Sequence, residues 1–343
     1  MDWFEAITGF PEADYETTRS RLGVRDGRLV SDGSDRRCAI GAFSLPNLTE
    51  LRASGPDITD IAPITVSNVV GDSRDLHQHP AYRGALFQVA SQFNMLEMVD
   101  PTVSPEDGVA GYQYDRTQGP ACAMAAGAAT IYRNYLLPFG SQSGQTARRQ
   151  INGLHDIAEA LSLTLAIEAS ELLPVRNGYA LPSEHNLQRI NAVLNRMSVP
   201  ERDALAGKLR IGVHVDAEVT DLHTTPPVLV SQAFCSAVPV AYSGLPSDSW
   251  APLAQLVLDA AYEATLWQAA INARLGRSKT VLLTRLGGGA FGNRDAWIDA
   301  ALGRALAKFA MSGLNIIIVS YGSIPSSMIE LAETFSPQNT RRR

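Results

Sequence analysis

Three glycines, an aromatic and a fourth glycine stand together in LLTRLGGGAFGNRDAW, Leu282 to Trp297. The run joins an apolar stretch to a helical pattern, and strand, glycine loop and helix in that order can hold phosphate. Glycine lets backbone N–H groups approach an anion, and the helix start adds partial positive charge. Gly287, Gly288, Gly289, Ala290, Phe291, Gly292 and Asn293 are therefore candidate ligand contacts. Gly287, Gly289 and Gly292 also satisfy G-x-G-x-x-G, but the dinucleotide fingerprint needs an acid about 20 residues on to bind ribose. The next strand pattern, LNIIIVS, carries none, which disfavours a nicotinamide-dependent oxidoreductase. A P-loop is excluded because no Lys-Ser or Lys-Thr pair follows the glycines. The plainer reading of the loop is a tight packing turn. Phe291 favours a ligand, since an aromatic among small residues at the loop mouth is costly to expose unless it stacks on a sugar or base.

Other reactive constellations are weaker. His214, Asp216 and Glu218 alternate along one strand pattern and would permit a metal, yet a half-exposed strand of polar residues is the commoner arrangement, so no metal is expected. Cys122 stands near a helix start, where a thiolate can be stabilised, though buried packing is the more frequent fate. His77 and His79 beside Pro80 read as loop residues, and no G-x-S-x-G elbow exists.

The elements that must position the loop can be read from periodicity. ITVSNVVGDSRDL and GALFQVASQFN are strand patterns, followed by a loop of about 25 residues rich in acids, proline and glycine. ACAMAAGAATIYRNYL reads as one helix with Pro120 at its first position. Strand patterns resume in KLRIGVHVDAEVTD and PPVLVSQAFCSAVPVAYS; a helix spans about 250 to 275, and KTVLLTRL, RDAWIDAALGRALAKFAMSG and LNIIIVSYG then read strand, helix, strand. Such alternation implies a largely parallel buried sheet. Residues 1–55 read as an N-terminal extension packed on the core, 56–330 as the catalytic domain with a helical insertion at about 140–206, and 331–343 as a flexible tail.

With 343 residues, net charge −6 and no long basic run before the terminal arginines, the chain is not expected to bind nucleic acid. Its three cysteines lack C-x-x-C spacing, its start lacks a signal peptide's basic and apolar regions, and no apolar run is long enough to span a membrane. A cytoplasmic protein without a membrane partner is expected.

Together these residues resemble the macrodomain, the ADP-ribose-binding α/β family, over roughly residues 60–137 and 208–322. The resemblance implies a three-layer α/β/α sandwich with a mixed, largely parallel sheet. It places Asp72, after Gly71, on the adenine, Asn94 near the distal ribose, and the Gly287 to Asn293 loop around the diphosphate. Asn94 could instead cap a turn, Gln92 on the same strand face could share either of those roles, and Asn293 could hydrogen-bond phosphate or occupy a helix N-cap. Asp295, in the first helical turn, reads as a dipole partner. The usual glycine triplet after the Asn is replaced by MLEMVDPTVSPEDGVAGYQYDRTQGP, and the paired glutamates of poly(ADP-ribose) glycohydrolases are missing. The pattern is more similar to the divergent MavL-type macrodomains, which remove ADP-ribose from arginine, including arginine on ubiquitin.

That resemblance implies cleavage between ribose C1″ and a guanidinium nitrogen, which needs a carboxylate to activate water and acids to hold the cationic leaving group. Asp107 and Asp115 are the first candidates and Glu106 the next, with Asn94 beside them. The expected partners are ADP-ribose, as ligand and product, and an ADP-ribosylated protein; no cofactor is expected. A reader that binds ADP-ribose without turning it over is the alternative.

Overall fold

The computed structural model describes residues 1–336. Its centre is a mixed seven-stranded sheet: β1 (Ala42–Ser44), β2 (Thr65–Val70), β3 (Leu86–Ala90), β4 (Gly212–Glu218), β5 (Leu229–Cys235), β6 (Thr280–Thr284) and β7 (Asn315–Ser320). The spatial order is β1-β4-β5-β3-β6-β7-β2. Strands β5, β3, β6, β7 and β2 run parallel, while β4 pairs antiparallel with both β5 and β1. The largely parallel sheet is what the strand-helix alternation implied, and its mixed character is what the family resemblance implied.

Side-chain alternation divides two cores. Leu86, Val281, Leu283, Ile316 and Ile318 face one layer, with the helices Ala251–Arg274 and Asp295–Lys308. Their neighbours Phe87, Leu282, Ile317 and Val319 face the other. Parallel strands covered on both faces need apolar residues at consecutive positions, which TVLLT and NIIIVS supply. The Ala251–Arg274 helix is apolar on nearly every side and is correspondingly buried, from Leu253 to Asn272. On the opposite face lie Ser73–Gln78, Gln118–Ala125 and Gly127–Ile131.

The stretch expected to be one helix is two, followed by a π-type turn at Tyr132–Leu136, and Pro120 is the third helical residue rather than the first. The break falls where Thr220 intervenes: its N–H donates to the Ala125 carbonyl at 2.8 Å and its Oγ1 accepts from Gly127 N–H at 3.0 Å. The second strand pattern is also shorter than its apolar run, because the chain turns back after Ala90, with Gln92 N–H donating to the Leu96 carbonyl at 3.1 Å and Met95 at φ 62°.

Residues 140–206 contribute the helices His155–Leu165, Glu184–Arg196 and Val199–Ala206, whose apolar faces join the core beneath Ala251–Arg274. They also carry a hairpin, Val175–Arg176 with Tyr179–Ala180. The N-terminal stretch supplies β1 to the sheet edge and a second core of Trp3, Phe4, Ile7 and Phe10 against Leu96, Met98, Val109 and Tyr112. Residues 331–335 continue the helix Ser326–Phe335, and the rest of the segment read as a tail, from 337, lies outside the described residues. Among the described residues no helix is long and apolar enough to cross a membrane.

Packing in the second layer fixes the state of His77. The ring is fully buried and stacks on Phe87 at 3.7 Å between centroids. Its Nδ1 lies 2.6 Å from the Ser73 carbonyl and its Nε2 lies 3.1 Å from Gln232 Nε2. A neutral ring with its proton on Nδ1 satisfies both contacts. Burial pushes its pKa from 6.5 down to about 4. The unfolded chain therefore takes up a proton that the folded chain refuses, so this group's contribution is fully present above pH 6.5 and is lost as pH falls toward 4. The loss amounts to about 3 kcal/mol. Denaturant unfolding at fixed pH is expected to show a shallower acid-side decline in His77→Gln than in the unsubstituted protein; equal slopes would contradict it.

Candidate active site

Four parallel strands end on one cleft. Ala90 closes β3, Thr284 closes β6, Ser320 closes β7, and Ala237 follows β5; all line a cavity of 330 Å³. The carboxyl edge of an open α/β sheet is where ligands bind, because strand ends and helix starts meet there.

The glycine loop forms one wall, from Gly287 to Phe291. It is closed by Asn293 N–H donating to the Gly287 carbonyl at 2.9 Å and Gly292 N–H to the Gly289 carbonyl at 3.0 Å. Gly287 adopts φ +75°, and a side chain there would run into Ala237 Cβ and lie 2.7 Å from Asn293 Nδ2. Behind the loop, Asn293 Nδ2 donates to the Val238 carbonyl at 2.8 Å, so Asn293 supports the loop, and Arg294 rather than Asn293 stands at the N-cap. Among the described residues, the amides of Gly289, Ala290 and Phe291 donate to no protein group. Consecutive unpaired N–H groups on a cavity wall are anion donors. Arg285 lines the same cavity, held by Asp299 at 2.9 Å and Asp295 at 2.5 Å.

Phe291 packs with two aromatics from distant segments. Its ring centroid is 5.3 Å from Tyr179, in the insertion hairpin, and 5.7 Å from Tyr242. The Tyr179 hydroxyl donates to the Met98 carbonyl at 2.6 Å, which ties this wall to the cavity floor.

The floor holds a carboxyl that the sequence reading passed over. Glu97 is 2% exposed and lines the cavity, and its Oε1 has no partner among the described residues. A side chain on Gly119 would collide with Oε2, so glycine is required for the acid to pack against the start of the Gln118–Ala125 helix. Burial pushes the Glu97 carboxyl well above the usual range; the buried Arg133 guanidinium opposes this, and the charge of Asp115 adds to it. Among the described residues Arg133 makes no ion pair, and it is held by the Met95 carbonyl, Thr130 and His214, over the face of Phe234. Asp115 also lines the cavity, half-buried, with Oδ1 accepting from Thr117 N–H at 2.8 Å. The cleft thus joins an acid whose burial favours its protonated form, a half-buried carboxylate and amides without a protein acceptor among the described residues.

The other candidates are placed elsewhere. Asp107 is exposed and accepts from Ser104 N–H and Oγ at 2.8 and 2.9 Å, and Glu106 is exposed and accepts from Ala147 N–H at 2.9 Å. Neither lines the cavity. Asn94 is fully buried, accepting from Leu96 N–H at 3.1 Å and donating to Gln150 at 2.8 Å; it shapes the turn that returns Glu97 to the cleft. Gln92 lines the cavity, with Oε1 accepting from Met98 N–H at 2.8 Å. Asp72 caps the helix Ser73–Gln78, accepting from Arg74 N–H at 2.7 Å, exposed and outside the cavity lining. Burial pushes the Cys122 thiol up, and the His214, Asp216 and Glu218 alternation is interrupted by a bulge between His214 and Ala217. No cluster suited to a metal occurs among the described residues.

The fold and site define an α/β protein with its cleft at the sheet's carboxyl edge. No protein-family model and no curated protein matches the chain. Among solved structures it is similar to poly(ADP-ribose) glycohydrolase from Deinococcus radiodurans in complex with ADP-ribose, at 12% identity over 85% of this chain and 94% of that one, with a TM-score of 0.41. It is also similar to the enzyme of the same name from Thermomonospora curvata, at 13% identity over 93% and 94% of the two chains and a TM-score of 0.40. At such identities no residue's role is carried over.

The loop geometry separates two glycines. Gly287→Ala is expected to destabilise the protein by about 1–3 kcal/mol, because a left-handed backbone and a side-chain clash coincide. Gly289→Ala, whose side chain would meet nothing within 4 Å, is expected to stay within about 0.5 kcal/mol. Equal losses in denaturant unfolding would show that the loop is not held in this conformation.

Proposed function

We propose that the protein is a hydrolase that removes ADP-ribose from a modified protein side chain. The observation that carries this reading is that one cavity is lined by a buried acid, Glu97, by a half-buried carboxylate, Asp115, and by Gly289, Ala290 and Phe291, whose amides have no protein acceptor among the described residues. An N-glycosidic bond of ADP-ribose needs these parts: anion donors for the diphosphate, an aromatic wall for the sugar, an acid for the leaving nitrogen and a base for water. Two carboxyl groups in unlike surroundings can divide acid and base work.

In this mechanism the diphosphate accepts hydrogen bonds from the glycine-loop amides, with Phe291, Tyr179 and Tyr242 beside the ribose. The C1″–N bond breaks toward an oxocarbenium-like centre. Its electron pair passes to nitrogen, which takes the Glu97 proton as Asp115 receives a proton from the water whose oxygen bonds C1″. The products are ADP-ribose and the free side chain, and proton exchange with solvent restores both carboxyls. Arginine as the modified residue, with arginine on ubiquitin as one instance, rests on the sequence resemblance to MavL-type macrodomains.

Calorimetric titration with ADP-ribose, followed by release assays on ADP-ribosylated arginine, tests the proposal. Binding with turnover is expected, and Glu97→Gln and Asp115→Asn should each lower turnover by about 10²–10⁴ while ADP-ribose binding persists. Binding without turnover would make the protein a reader, and absence of binding would remove both readings.

A further inference from the structure

Glu12 reaches out of the N-terminal stretch into the loop that carries Asp115. Its carboxylate accepts from Val109 N–H at 2.9 Å, from Ala110 N–H at 2.7 Å and from the Tyr135 hydroxyl at 2.7 Å. Those two amides open the short turn Ala110–Tyr114, so the carboxylate acts as its cap from almost a hundred residues away. Gly108, at φ +85°, leaves the space; any side chain there would strike the Glu12 carboxylate.

The capped turn is also where the two cavity carboxyls are joined. Tyr112 is buried within it; its hydroxyl accepts from Glu97 N–H at 2.9 Å, and its carbonyl accepts from Asp115 N–H at 3.1 Å. One residue thus fixes the backbone of both acids, and Glu12 fixes that residue's turn. Glu12 itself does not line the cavity, and neither does any other residue of the N-terminal stretch.

We infer that Glu12 is a positioning residue: through Val109, Ala110 and Tyr112 it sets the separation of Glu97 and Asp115, which makes the N-terminal segment a working part of the active site. The inference rests on the hydrolase reading for its kinetic consequences. The glycine loop and the aromatic wall are built from other elements, so ligand affinity and turnover should respond differently. A misplacement on the order of 1 Å between reacting groups lowers turnover far more than it lowers binding of the product.

The test uses the full chain carrying Glu12→Gln, which keeps the side chain's size but removes its charge and turns one acceptor into a donor facing the Val109 and Ala110 amides. The expected result is a fall in kcat of about tenfold or more, with the Kd for ADP-ribose within about twofold of the unsubstituted protein and faster hydrogen exchange confined to the segment around Val109 and Ala110. Unchanged kcat, or kcat and affinity falling together, would overturn it. If Glu12→Gln does not fold, Tyr135→Phe, which deletes one bond to the carboxylate, should give the same split at a few-fold; an equal loss in both quantities would overturn the inference. Should the unsubstituted protein bind ADP-ribose without turnover, the hydrolase reading fails. Hydrogen exchange then decides the latch alone, with unaltered exchange at those amides in the variant overturning it.

Discussion

A carboxyl group buried without a bonded partner among the described residues is the constraint on which this candidate site turns. Removing an ionised carboxylate from water is unfavourable by many kcal/mol, so Glu97 can stay in the cavity floor only by remaining protonated or by borrowing charge from its surroundings. The surroundings offer both. Gly119 permits the acid to pack against the start of a helix, and Arg133, fully buried and without an ion pair among the described residues, supplies a compensating charge. Asp115, a short way along the same loop, is left in contact with solvent.

Keeping two acids in such different environments demands a rigid frame. Glu97 follows a turn that Asn94 and Met95 fold back into the cleft, and Asp115 follows a turn capped from the N-terminal stretch. Tyr179 comes from the segment at 140–206 and packs against Phe291 of the glycine loop, at the other end of the chain. The parallel sheet brings these parts together, since β3, β5, β6 and β7 all release their chains at one edge. The N-terminal stretch and the segment at 140–206 are therefore built into the walls and supports of the site.

Much of that frame was legible in the sequence because it follows simple rules. Fully buried parallel strands announce themselves as unbroken apolar runs, and a glycine loop between strand and helix marks the sheet edge where the chain turns, whether to pack or to hold a ligand. The floor of the site was not legible. Glu97 lies within FNMLEMV, where it looked like one polar letter in an apolar run; that isolation was the available signal, because a lone acid among buried residues is either paired or functional. Glu106, Asp107 and Asp115 read alike along the chain, and only tertiary contacts send the first two outward to Ala147 and Ser104 and leave Asp115 at the cavity. Tyr179 was hidden in a segment read as helical, since a two-residue strand after Asn177 and Gly178 is too short to show a period.

A crystal structure of the protein with ADP-ribose bound would test the account most directly. The account places the diphosphate on the amides of Gly289, Ala290 and Phe291, and C1″ of the distal ribose between Glu97 and Asp115 with room for a water on the Asp115 side. A diphosphate bound away from the glycine loop, or a distal ribose turned out of the cleft with both carboxyls untouched, would contradict it.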